Sequence, residues 1–87
     1  MTEMPKWEVG VRYPTNVSSV SIGLRRIGVE GSFEHVASVD LFNLKEAEVH
    51  SAMEYAVSKA LKKRDELNRK IDLANQELKC YGKEIAG

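Results

Sequence analysis

An 87-residue chain has room for one small hydrophobic core and no second domain, so an autonomous multi-step enzyme is not expected. Its 43% apolar and 30% charged residues exclude a disordered tail and a membrane span. With 13 basic against 13 acidic side chains there is no global field to draw the molecule onto nucleic acid or anionic lipid, and a charge-driven partner must use a local patch.

The opening residues MTEMPKWEVGV lack a basic stretch followed by an apolar one, and no run of about 18 apolar residues occurs, so a cytoplasmic chain without membrane insertion is expected. The lone Cys80 cannot close an internal disulfide and reads as a small helix residue.

The first element follows from alternation. Trp7, Val9, Val11 and Tyr13 recur every second residue with Glu8, Gly10 and Arg12 between them, the pattern of a half-buried strand. Pro14, Thr15 and Asn16 supply a turn. A second strand follows, with Val20, Ile22 and Leu24 on one face and Ser19, Ser21, Gly23 and Arg25 on the other. Ile27 and Val29 continue the apolar set one residue out of step, which places a bulge near Arg25 and Arg26. After a turn at Glu30, Gly31 and Ser32 comes a third strand, with Phe33, Ala37, Val39 and Leu41 facing the core and Glu34, Ser38 and Asp40 facing away. Short connections make the three strands, over about residues 6–42, an antiparallel meander.

From Asn43 the period becomes helical. Asn43 is a suitable N-cap, Glu46 stands at the capping-box position, and Phe42 with Ala47 occupy staple positions. Glu46 and Glu48 place negative charge where the helix dipole favours it. Neither Gly nor Pro interrupts Leu44 to Tyr81, so one helix over about residues 44–82 is expected, with Gly82 as its C-terminal cap. At about 1.5 Å per residue such a rod is roughly 57 Å long, against about 27 Å for an eight-residue strand. The fold class is therefore α+β, a single small domain over residues 1–87 in which the distal half of the helix overhangs the sheet.

The helix divides into two faces along its length. Val49, Ala52, Met53, Ala56, Val57, Ala60 and Leu61 form a wide, small-residue face suited to lie on a sheet. Beyond it the apolar positions narrow to Leu67, Ile71, Ala74, Leu78, Tyr81 and Ile85, spaced as a heptad seam. A seam that the sheet cannot reach is expected to be covered by self-association as a homodimer or higher homo-oligomer, by another protein, or by the helix folding back near residues 62–69. Arg64 lies on the seam as a weak point.

No arrangement of residues carries catalytic chemistry, and no catalytic residue, metal site or cofactor is assigned. His35 and His50 read as partly buried structural residues, and one cysteine with two distant histidines is too few for a structural zinc site. The serines fall in strands and turns, and no GxSxG elbow or phosphate-binding glycine loop is present. Two sets of basic residues are the candidates for anion or nucleic-acid contact. Lys59, Lys62, Lys63, Arg69 and Lys70 form a stripe on the helix, within a segment from 59 to 70 that carries four more basic than acidic side chains. Three i,i+4 pairs, Lys62 with Glu66, Asp65 with Arg69 and Glu66 with Lys70, are expected to neutralise part of it. Arg25 and Arg26 at the expected bulge, with Arg12 on the neighbouring strand, form the second set, without an aromatic platform because Trp7, Tyr13 and Phe33 fall in the core-facing sets.

Three functions are compatible with these features. The first is a small non-enzymatic accessory or inhibitory protein that acts on another macromolecule as a homo-oligomer, through its sheet and long helix. A nucleic-acid-binding accessory factor using the stripe at 59–70 is the second, and a binder of a small anion such as a nucleotide at an oligomer interface is the third.

Overall fold

The computed structural model describes residues 3–13 and 18–86, with side chains through Tyr81. Strand β1 spans Trp7–Arg12, β2 Ser19–Arg26 and β3 Glu34–Asp40, followed by a short 3-10 turn at Leu41–Asn43 and the helix α1 at Glu46–Ala86. The expected turn at Pro14 to Asn16 lies outside the described residues. The sheet has the order β1-β2-β3 with both pairings antiparallel, and the fold is α+β.

One face of this sheet lies on the first half of α1. Val20, Ile22 and Leu24 of β2 and Val39 of β3 form the core with Ala56 and Ala60 of the helix, and Trp7, Val9, Val36, Ala37, Leu44, Ala52, Met53, Val57 and Leu67 pack around them. The alanines let the helix approach the strands closely, while the β-branched and leucine side chains fill the space between. Val11 and Tyr13 belong to the same alternating set yet remain exposed, outside the core cluster.

The irregularity in the strands is not where the shift of Ile27 and Val29 places it. Strand β2 pairs regularly with β1 through Arg25 and Arg26, and the register shift lies between Ile22 and Gly23 against β3, where Ala37 and His35 are the successive partners and Val36 is the extra residue. Ile27 and Val29 are exposed and lie past the end of the strand. Gly28 and Gly31, both at φ +80°, reverse the chain there. Ser32 holds this connection, its Oγ accepting from the Arg26 N–H and donating to the Val29 carbonyl, each at 2.9 Å.

Phe33 is the second departure. Its ring lies against Gly10 and Gly23, which are direct cross-strand partners, on the sheet face opposite the helix. A Cβ on Gly23 would sit 2.9 Å from the Phe33 ring and 2.1 Å from the Glu34 carbonyl oxygen, so the glycine makes the room that the ring occupies. The sequence pattern puts Phe33 in phase with Ala37 and Val39, but the extra residue at Val36 reverses that phase.

The start of the helix also moves. Asp40 caps the 3-10 turn, accepting from the Phe42 N–H at 3.1 Å and from the Asn43 side chain, which removes Asn43 from the helix cap. Glu48 accepts from the Lys45 N–H at 2.9 Å, so the capping bond is made by Glu48 rather than Glu46. Phe42, 83% exposed, makes no staple with Ala47. Once started, α1 runs 41 residues without a break and continues through Gly82, so the helix does not fold back near 62–69. The molecule measures 60 × 23 × 12 Å, its long dimension matching the helix.

Candidate interaction surfaces

The distal helix carries the seam, and the chain covers part of it with its own N-terminal arm. Residues Glu3 to Trp7 run antiparallel to α1. The Trp7 N–H donates to Asn68 Oδ1 at 2.8 Å while Asn68 Nδ2 donates to the Trp7 carbonyl at 3.0 Å. Asn75 repeats the exchange with Met4, at 2.9 and 3.3 Å. Lys6 pairs with Asp72 at 2.9 Å and Lys79 with Glu3 at 3.5 Å. Three extended residues advance about 10 Å, and seven helical residues advance about 10.5 Å. The two asparagines, one heptad apart, are therefore in step with Met4 and Trp7.

This arm changes the expectation for the seam. Ile71 is buried at 6% exposure and Leu67 and Ala74 are half-buried, whereas Leu78 and Tyr81 remain exposed, and the side chain of Ile85 lies outside the described residues. Arg64, also on the seam, is turned to its neighbour Asp65 at 2.9 Å.

A second surface lies along β3. This strand ends the sheet on one side, and among the described residues no hydrogen bond from outside the sheet reaches its backbone. Two open apolar grooves separate it from α1. The larger, about 410 Å³, is lined by Val36 to Asp40, Leu44, Ala52, Tyr55, Ala56 and Lys59. The other, about 310 Å³, lies between Glu34, His35 and Val36 of the strand, Trp7 and Leu24 of the sheet, and Lys63 and Leu67 of the helix. Phe42, the most exposed of the large apolar side chains described, stands just past the end of the same strand.

The basic stripe stands beside these grooves. Lys59 sits over the Tyr55 ring at 5.2 Å and Lys63 lines the smaller groove. Among the described residues none of Lys59, Lys62, Lys63, Arg69 and Lys70 makes an ion pair, so the i,i+4 pairs with Asp65 and Glu66 are not formed. The arginine set does not converge. Arg25 is held by Glu8 at 3.1 Å on the outer sheet face, and Arg12 lies 5.4 Å from the Phe33 ring on that face. Arg26 stacks 5.7 Å from the Trp7 ring, with its Nε buried and unpartnered. Because β2 is regular here, adjacent arginines point to opposite faces and form no fork.

His35 and His50 are both exposed rather than partly buried, the latter 3.1 Å from Glu54. Cys80 is free and exposed. Among the described residues no group of three His, Cys, Asp or Glu side chains has the geometry to hold a metal ion, and no helix is long and apolar enough to cross a membrane.

Sequence reasoning missed the asparagine ladder, the position of Phe33 and the grooves along β3. Asn68 and Asn75 carried a signal, being spaced as a heptad beside the seam. The cross-strand glycines Gly10 and Gly23 carried another, since two facing glycines leave a gap that an aromatic ring fills. The chain matches no protein-family model, and no curated protein or solved structure is significantly similar to it. Its function is read from these surfaces alone.

Proposed function

We propose that this chain is a small non-enzymatic interaction protein of the cytoplasm that works as a homo-oligomer and acts by occupying a surface of another macromolecule. The observation that carries this reading is the open edge of β3, bordered by two apolar grooves and by the exposed Phe42. An unpaired strand edge is a template for pairing with another chain, and natural proteins leave one beside apolar surface where a partner covers it. Exposed Leu78 and Tyr81 on the distal helix supply a further contact area outside the arm. Sedimentation velocity over a range of concentrations tests the reading: more than one subunit per particle supports it, and a monomer at the highest concentration contradicts it.

A second reading is favoured by one observation, the unpaired state of Lys59, Lys62, Lys63, Arg69 and Lys70 among the described residues. Five cations along one side of a helix, with Glu66 among them but paired to none, suit a phosphate backbone. Retention on DNA or RNA that falls steeply with salt, and is lost when Lys59, Lys63 and Lys70 are changed to Glu, is the expected outcome; absence of retention at low salt removes this reading. Binding of a small anion at Arg12, Arg25 and Arg26 draws no support from geometry, because the three guanidinium groups are engaged separately.

A further inference from the structure

The homo-oligomeric reading leaves open which surface pairs, and β3 carries a self-complementary one. Its outer edge is regular only after the extra residue at Val36, so the straight segment available for pairing runs from Val36 to Asp40 and is centred on Ser38. An antiparallel pairing of two copies about a two-fold axis at Ser38 sets Asp40 opposite Val36 and Val39 opposite Ala37. In this register Glu34 falls outside the ladder, and the carboxylates of Glu34 and Asp40, which otherwise guard the edge, do not face each other.

The same register brings together the two ends of the edge. Phe42 stands in the 3-10 turn that follows Asp40, and the two-fold sets this turn beside the Glu34 end of the second copy's edge, where the smaller groove opens between Glu34, His35, Val36, Lys63 and Leu67. That groove is about 310 Å³, large enough for a phenyl ring. A protruding aromatic at one end of a strand edge and an apolar recess at the other end form a knob and a hole that a two-fold axis matches twice over, as an isologous interface requires.

We infer that the chain forms a two-fold symmetric dimer by antiparallel pairing of β3 with β3 about Ser38, each Phe42 entering the groove beside Lys63 and Leu67 of the other copy, an inference that rests on the homo-oligomeric reading above. Two three-stranded sheets become one of six strands, both helices lie on the same side, and the two β3 edges are closed. Two phenyl rings and a five-residue ladder make a contact at the low end of specific interfaces, so the dimer is expected to dissociate on dilution.

A symmetric cross-link tests the register. Across a two-fold antiparallel ladder the two Ser38 Cα atoms stand about 4.5–5.5 Å apart, within the span of a disulfide. In a Cys80→Ser background, Ser38→Cys is expected to give a covalent dimer on mild oxidation, whereas Ser51→Cys on the exposed helix surface is not. Phe42→Asp is expected to sediment as a monomer where the parent is a dimer, with unchanged circular dichroism and the melting temperature of the parent diluted to its monomer, since Phe42 is 83% exposed in the single chain. A parent dimer that persists in Phe42→Asp and gives no cross-link at Ser38 overturns the inference while the homo-oligomer stands. A parent that is monomeric throughout overturns both.

Discussion

Asn68 grips Trp7 at both ends of the residue, accepting from its backbone N–H at 2.8 Å and donating to its carbonyl at 3.0 Å. A primary amide carries one acceptor and two donors in a plane, so it reproduces the pattern a neighbouring strand would offer. With Asn75 and Met4 one heptad further on, the helix acts as the pairing partner for an arm that has no strand of its own there.

Removing either amide leaves the arm's backbone groups half-satisfied. Asn68→Ala and Asn75→Ala are each expected to cost about 1–3 kcal/mol, read from the urea midpoint. Asn68→Asp keeps the acceptor but turns a second acceptor toward the Trp7 carbonyl, so it is expected to be no more stable than the alanine variant. Because both asparagines hold the same five-residue arm, the double variant is expected to lose less than the sum of the two.

Gly10 and Gly23 face each other across β1 and β2, but only Gly23 has no room for a methyl group. The Gly23 Cβ position lies 2.1 Å from the Glu34 carbonyl oxygen, a backbone atom of the paired strand, whereas the closest approach at Gly10 is 3.3 Å to Arg25 Cβ. Gly23→Ala is therefore expected to lose about 3 kcal/mol or more, or to prevent folding, while Gly10→Ala loses about 1 kcal/mol. Equal losses in thermal denaturation contradict this placement of Phe33 and Glu34.

The helix start is a test of local capping. Glu48→Ala removes the bond to the Lys45 N–H and is expected to cost about 0.5–1 kcal/mol, with fraying of the first turn visible in amide exchange. Glu46→Ala is expected to cost only the few tenths that a dipole contact contributes. A larger effect at Glu46 than at Glu48 contradicts the cap.

Much of this architecture was legible from periodicity alone. Alternation through Val20, Ile22 and Leu24 marks β2, and the absence of Gly and Pro between Leu44 and Tyr81 marks the unbroken helix. What periodicity misses is the consequence of a single extra residue. Val36 shifts the phase of β3 and sends Phe33 to the outer face, although Phe33, Ala37 and Val39 read as one set in the sequence. The cap was misplaced for a related reason, since Asp40 offers a competing capping carboxylate three residues before Asn43 and takes its side chain. The seam was legible as apolar surface, but its occupant was not. Polar Asn68 and Asn75 hold Met4 and Trp7 over Ile71, and pairing between residues more than sixty positions apart leaves no local pattern.

The central claim is that this chain works as an assembly of its own copies. Sedimentation velocity from low to high micromolar concentration measures it most directly. A shift from one subunit to more than one per particle as concentration rises is the predicted result, and a single-subunit particle at every concentration contradicts the account.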